Sequence, residues 1–262
     1  MNIKKKAIDD KLKAKAPDLQ KLAVKADKIL AKNNLQDHTA KVALCLDISG
    51  SMSSLYRSGK IQKFAERILA LGCRFDDDGS IDIFLFGRGA YTDNSMTIDN
   101  HNGFVNRILS SRSLEGGTYY GKAIKLIRQH YYQSSGNRTS PISDTVPVYV
   151  MFVTDGETMD KSETISQITS AAYEPIFWQF MGIGKSKKDI KKGGFGGFFG
   201  RLFASDFSFL ENLDTMDGRF VDNANFFSLE DPSTIGDDQL YELLMDEYPD
   251  WLKLAKEKGL LR

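Results

Sequence analysis

The chain has 262 residues, of which 41% are apolar, 27% charged and 11% aromatic. That is the profile of a folded globular protein of one or two domains, and it excludes collagen-like, repeat-only and disordered chains. Lys plus Arg and Asp plus Glu each number 35, so no overall polycationic field exists to hold nucleic acid. The charge is nevertheless uneven: residues 1–41 hold 11 Lys against 5 Asp, net +6, which leaves 24 basic and 30 acidic residues, net −6, for the rest. Such asymmetry marks an appended basic segment.

Cys45 and Cys73 are the two cysteines. Each sits in an apolar stretch without CxxC spacing, so they read as buried thiols in a reducing compartment, not as a disulfide framework or a zinc site. The start is lysine-rich without the continuous apolar core of a secretory leader, and the longest apolar run, 148–153, is too short to span a bilayer. A cytoplasmic location is the expectation.

Within the basic segment, Leu19, Leu22, Ala26, Ile29 and Leu30 recur at three- and four-residue steps after Asp18, an N-cap by type, and stop at Asn33-Asn34. Residues 1–37 therefore read as a basic amphipathic helical extension whose apolar stripe packs on a main domain at 38–262 and whose lysines face water. Contact with an acidic partner or a membrane surface is the other use of that face.

At Lys41 the pattern changes. Val42 to Leu46 is a continuous apolar run ending in Asp47, as expected of a strand buried on both faces of a parallel sheet. A Ser/Gly loop follows, and then Ile61, Phe64, Ile68, Leu71 and Phe75 mark one helix face. Further strands are expected at 81–86, 148–153, 176–182 and near 219–221, with a short edge strand at 95–98. Helices are expected at 104–109, 122–132, 162–173 and within 237–257. This alternation predicts a three-layer α/β domain with a mostly parallel sheet, whose ligands collect at the strand C-terminal ends. Between 185 and 205 lies a Gly/Phe-rich insertion that reads as a surface loop, with a binding lid as the alternative.

Asp47-Ile48-Ser49-Gly50-Ser51 follows the first buried strand, and its alternation lets one carboxylate and two hydroxyls converge on a point. Hard oxygen donors of this kind suit Mg²⁺, with Mn²⁺ or Ca²⁺ as substitutes, and not zinc or copper. Alone, the pattern is equally a decorated helix N-terminus. Gly116-Gly117-Thr118 adds a hydroxyl before a helix, and Thr154-Asp155-Gly156 adds a carboxylate at the end of the second apolar strand. Three loops then converge at one edge of the sheet.

With Asp47, Ser49, Ser51, Thr118 and Asp155 in this order, the chain resembles the von Willebrand factor type A domains, which carry a metal-ion-dependent adhesion site. The segments LCLDISGSM, LEGGTYYGKAI, VMFVTDGE and FVDNANFF are similar to the bacterial tellurite-resistance, TerF-type branch. The resemblance implies a Rossmann-like, mostly parallel sheet with one short antiparallel edge strand and helices on both faces. It also implies Ser49 and Ser51 as direct metal ligands, Thr118 as direct or water-linked, and Asp47 and Asp155 acting largely through water. The implied function is a non-enzymatic module that binds the Asp or Glu carboxylate of a partner protein, in bacterial tellurite resistance or a stress response. Neutral hydroxyl donors leave much of a divalent charge uncompensated, which is why such a site attracts an anion.

Two rivals remain. A metal-dependent phosphatase of haloacid-dehalogenase type would use Asp47 as nucleophile, but the acid it wants two residues later is Ser49. An adaptor to an ATPase or a membrane-associated complex would use the basic helix and the Gly/Phe loop instead. Serine hydrolase and nucleotide-binding readings fail for want of GxSxG, GxxxxGK[ST] or GxGxxG. His38, His101 and His130 read as surface or helix residues, and Glu157 as a surface acid.

Overall fold

The computed structural model describes residues 3–76, 78–133, 136–184 and 207–262. Its strands are β1 (Lys41–Asp47), β2 (Ser80–Phe86), β3 (Ala90–Thr97), β4 (Val148–Thr154), β5 (Ile176–Ile183) and β6 (Ala224–Leu229). They form one sheet in the order β3-β2-β1-β4-β5-β6. All neighbours are parallel except β2 and β3, which run antiparallel. The two continuous apolar runs of the sequence are thus the central pair, β1 and β4, where a strand must bury both faces.

Side-chain alternation divides each central strand between two cores. Val42, Leu44 and Leu46 of β1, with Tyr149, Met151 and Val153 of β4, face one layer. Ala43 and Cys45, with Val148, Val150 and Phe152, face the other. The first layer holds α2 (Pro17–Lys32), α4 (Lys60–Phe75), α9 (Asp237–Leu244) and α10 (Tyr248–Glu257). On the opposite face lie α6 (Tyr120–Tyr132), α7 (Lys161–Ala171) and α8 (Ser208–Asp214). Shorter helices, α3 (Ser53–Arg57) and α5 (Phe104–Ser111), lie between strands in the chain, and α1 (Ile3–Lys15) opens it. The result is the expected three-layer, Rossmann-like α/β fold.

The chain leaves β1 toward β2 on one side and β4 toward β5 on the other, so the order reverses between β1 and β4. Open parallel sheets hold their ligands in the crevice outside such a switch point.

Several expectations change. The last strand is Ala224–Leu229, paired in parallel with β5. Residues 219–221 instead form the turn before it, where Arg219 bonds the carbonyls of Met216 and Asp214. The edge strand extends from Ala90 to Thr97, because its pairing to β2 supplies order that its polar sequence does not announce. The basic segment is two helices, with Pro17 beginning the second and Ala16 before it, so Asp18 is inside the first turn and is not the cap. The first helix is not announced by periodicity because, among its described side chains, Ile8 and Leu12 are the ones that mark its buried face before Ala16. Arg74 ties α1 and α2 to α4 through Asp9 at 2.5 Å and Asp27 at 3.4 Å. The Gly/Phe-rich insertion at 185–205 lies outside the described residues.

Both cysteines are buried, and burial pushes Cys73 up to about 12 and Cys45 well above the ordinary thiol value. Of the histidines, His130 is exposed at the end of α6, but His101 is buried in a turn, with Nδ1 at 2.9 Å from the Ile98 carbonyl. His38 packs edge-on against Phe75 and Tyr248, with Nε2 at 2.9 Å from the Tyr248 hydroxyl.

Burial, with Lys256 and Lys5 nearby, pushes His38 down to about 4. The unfolded chain therefore binds this proton first, so the His38 contribution to stability is complete above about pH 6.5 and is lost as pH falls toward 4. Burial raises Glu247 to about 7 and Asp214 to about 6, which acts in the opposite sense. The comparison with His38→Gln isolates the histidine. Urea unfolding at pH 7 and 4.5 should show the natural chain losing more stability than the variant over this interval; equal losses would contradict the assignment.

Candidate metal centre

Alternation carries the site as well as the core. Asp47 follows Ala43 and Cys45 on the same face of β1, and Thr154 follows Val148, Val150 and Phe152 on β4. Parallel pairing in register, Leu46 with Val153, then brings the next two side chains together. The Thr154 hydroxyl donates to Asp47 Oδ2 at 2.7 Å. Asp47 Oδ1 accepts from the Ser49 amide at 2.7 Å, turning the chain sharply out of the strand. Tyr56 of α3 donates to the Asp47 carbonyl at 2.8 Å.

Three loops meet above this pair. The first carries Ser49 and Ser51, whose hydroxyl oxygens share a hydrogen bond at 3.0 Å. It is stitched to the second by a short parallel bridge: the Gly50 amide donates to the Glu115 carbonyl at 2.9 Å, and the Glu115 amide to the Ile48 carbonyl at 2.8 Å. The Glu115 carboxylate accepts from Tyr91 at 2.7 Å and from the Gly89 amide at 3.0 Å, fixing that loop to the β2–β3 turn. Gly117 has φ +92°, which L side chains rarely adopt, and it bends the loop into Thr118.

The third loop follows β4. Ser51 Oγ donates to Asp155 Oδ1 at 2.8 Å, joining the first loop to the third. The Met159 amide donates to the Thr118 carbonyl at 2.8 Å, joining the third to the second. Thr158 Oγ1 accepts from the Tyr120 amide at 3.0 Å, and Asp160 accepts from the Gly121 and Lys122 amides, placing a carboxylate at the positive end of α6. Tyr120 reaches back across the site, donating to Thr154 Oγ1 at 3.1 Å and to the Gly156 carbonyl.

Asp47, Ser49, Ser51 and Asp155 thus form one hydrogen-bonded chain. Thr118 is placed beside them through its backbone, and its hydroxyl forms no hydrogen bond among the described residues. Glu157 is exposed and paired with Lys161 at 3.1 Å. Thr154, Tyr120, Tyr56 and Glu115 are site-building residues that periodicity does not identify; only the parity shared by Asp47 and Thr154 in adjacent strands could have indicated the first of them.

Asp47 is fully buried, and among the described residues no basic side chain pairs with it. Burial raises it to about 6, against the pull of its Thr154 and Ser49 hydrogen bonds. Burial raises Asp155 too, with the Ser51 hydrogen bond opposing. A buried carboxylate with only neutral donors beside a cluster of hydroxyls fits a hard divalent cation, since the cation would compensate the desolvation that the donors leave unrelieved. No cluster of three or more His, Cys, Asp or Glu side chains suited to a metal exists among the described residues; the donors here are carboxylates and hydroxyls.

In the metal-free chain, Thr154→Val strips Asp47 Oδ2 of its buried donor and should cost about 1–3 kcal/mol. Thr154→Ser should restore most of it. Urea unfolding in the presence of a chelator reads both variants, and equal stability of Val and Ser would remove Thr154 from the site.

A family model described as the vWA found in the TerF C terminus matches residues 39–261. The Bacillus subtilis (strain 168) protein YcbR, described as uncharacterized, is 35% identical over 248 residues, covering 94% of this chain and 90% of that one. Among solved structures, the ArnB paralog VWA2 from Sulfolobus acidocaldarius is 16% identical over 80% of this chain and 45% of its own, with a TM-score of 0.44. Proximal thread matrix protein 1 from the mussel byssus, in a form with a zinc-occupied MIDAS motif, is 14% identical over 80% of this chain and 48% of its own, with a TM-score of 0.47. The chain spans less than half the length of either solved chain. With the family model covering 39–261 and a relative 35% identical along nearly the whole length, the chain belongs to the vWA-TerF-like family, the von Willebrand factor type A domains of the TerF C terminus.

Proposed function

We propose that this chain is a metal-dependent protein-interaction module in which Asp47, Ser49, Ser51, Thr118 and Asp155 hold Mg²⁺, or Mn²⁺ or Ca²⁺ in its place, and a partner protein supplies an Asp or Glu carboxylate. The observation that carries the reading is the hydrogen-bonded run Ser49–Ser51–Asp155 above the buried Asp47, at the switch point of the sheet. Membership of a family of domains that generally act as interaction modules supports it.

When bound, the divalent ion supplies a positive charge only partly neutralised by its hydroxyl donors, and so attracts an anion from outside. The chain's own residues do the rest. Thr154 and the Ser49 amide fix the Asp47 carboxylate, the Glu115 bridge fixes the loop of Thr118 against that of Ser49, and Met159 fixes Thr118 against the loop of Asp155. The TerF-type family match supports a bacterial setting in tellurite resistance or another stress response, and we place the module in the cytoplasm.

A phosphatase would need a nucleophile open to its substrate. Both Asp47 oxygens are engaged and the side chain is fully buried, which favours the non-enzymatic reading. The basic helices give little support to a free adaptor arm, because they are packed into the larger core.

Calorimetric titration with Mg²⁺ tests the proposal. The natural chain should bind, acetate should tighten binding, and Ser49→Ala with Ser51→Ala should weaken it by more than about tenfold, or about 1.4 kcal/mol. Failure of the natural chain to bind Mg²⁺, Mn²⁺ or Ca²⁺ even with acetate present would overturn it.

A further inference from the structure

Beside Thr118 the surface forms a shelf with three unlike parts. Its floor is Gly116-Gly117, and Gly116 is exposed, with nothing nearer than the Arg88 guanidinium, 4.0 Å from where a Cβ would stand. On the other side the Met159 sulfur lies 3.3 Å, and the Tyr119 ring 3.2 Å, from the Cβ position of Gly117. Met159 is 68% exposed, and among the described residues the other exposed large hydrophobic side chains are Val24 and Ile165. An apolar thioether left in water beside a candidate binding site is the kind of adaptable contact that interfaces use.

The charges around the shelf have one sign left over. Glu157 is paired with Lys161, and Glu115 is consumed by Tyr91 and the Gly89 amide. Lys122 lies over the Tyr119 ring and donates to the Arg88 carbonyl. Among the described residues the Arg88 guanidinium has no carboxylate partner, and neither does that of Arg57, at the end of α3 after the serine loop.

We infer that Gly116-Gly117, flanked by Arg88 and by Met159 with Tyr119, is the surface that selects the partner, and that it takes an extended acidic segment of another protein in which apolar side chains neighbour the metal-seeking carboxylate. The glycine floor admits the segment's backbone, Met159 and Tyr119 take an apolar side chain, and Arg88 takes a second carboxylate. This rests on the proposed function and names the partner chemistry for that site. Complementary charge sets encounter and register, while the buried apolar contact sets residence.

The test titrates the Mg²⁺-loaded full chain with acetate and with two capped peptides, Gly-Gly-Asp-Gly-Gly and Glu-Leu-Asp-Leu-Glu. The second should bind at least about tenfold tighter than the first, a separation of about 1.4 kcal/mol. Tyr119→Ser and Arg88→Glu should each reduce that preference while leaving Mg²⁺ binding unchanged, which also reports an intact fold. Equal binding of the two peptides, or a preference that survives both substitutions, would overturn the shelf and leave the metal site standing. Self-association of the loaded chain without peptide, abolished by Arg88→Glu, would overturn it by filling the shelf with a second copy. If no carboxylate binds in a metal-dependent way, the proposed function fails and the shelf fails with it.

Discussion

The pairing of β1 with β4 is the constraint on which the rest of the molecule depends. It puts two continuous apolar runs side by side at the centre, and it sets Asp47 beside Thr154 on one face at the C-terminal ends of the strands. A carboxylate that is fully buried must be hydrogen-bonded or compensated, and the Thr154 hydroxyl and the Ser49 amide provide two good bonds but no charge. The fold thereby stores an electrostatic demand at the place where three loops meet. A one-residue slip of either strand would turn its side chain to the opposite layer, so the core and the site are specified by the same register.

The loops themselves are held by backbone as much as by side chains. Ser49 and Glu115 form a parallel bridge beyond the end of β1, and the Met159 amide binds the Thr118 carbonyl. Phe86, Tyr120 and Phe152 pack with ring centroids 4.6 to 5.7 Å apart, two of the three contacts edge-on, so Tyr120 is anchored in an aromatic cluster of the core.

What the sequence made legible was whatever a local pattern writes down. Val42 to Leu46 and residues 148–153 announce central strands because both faces are apolar, and the Asp, Ser and Thr positions announce convergence because strand ends collect in one place. Thr154, Tyr120 and Glu115 were invisible because their roles depend on partners 107, 34 and 24 residues away. Local pattern shortens the edge strand because β3 is half-exposed and polar, with its order imposed by β2. It draws the last strand too early because Val221 is buried before β6 begins, so an apolar residue there signals packing and not pairing. The settings of His101 and His38 likewise involve neighbours distant in the chain: Gln62 donates to the His101 carbonyl, and Phe75 and Tyr248 pack edge-on against the His38 ring.

The uneven charge also resolves inside the molecule. Lys25 pairs with Asp237 at 2.6 Å, Lys32 with Glu242 at 2.7 Å, and Lys11 and Lys15 with Asp99 at 2.5 and 2.7 Å. Four lysines of the first two helices thus meet carboxylates of the acidic remainder, and Leu12, Leu19, Ala23 and Ala26 of the same helices belong to the main core. Most of these pairs are solvent-exposed and contribute little stability individually. Their effect is to orient: Lys11 and Lys15 tie the first helix to Asp99, and Lys25 and Lys32 tie the second to Asp237 and Glu242, so that each apolar stripe is held against rotation or sliding. The basic segment is thereby joined to the rest of the chain by charge as well as by its apolar stripe. Among the described residues the Arg88 guanidinium, beside the three loops, is left without a carboxylate partner.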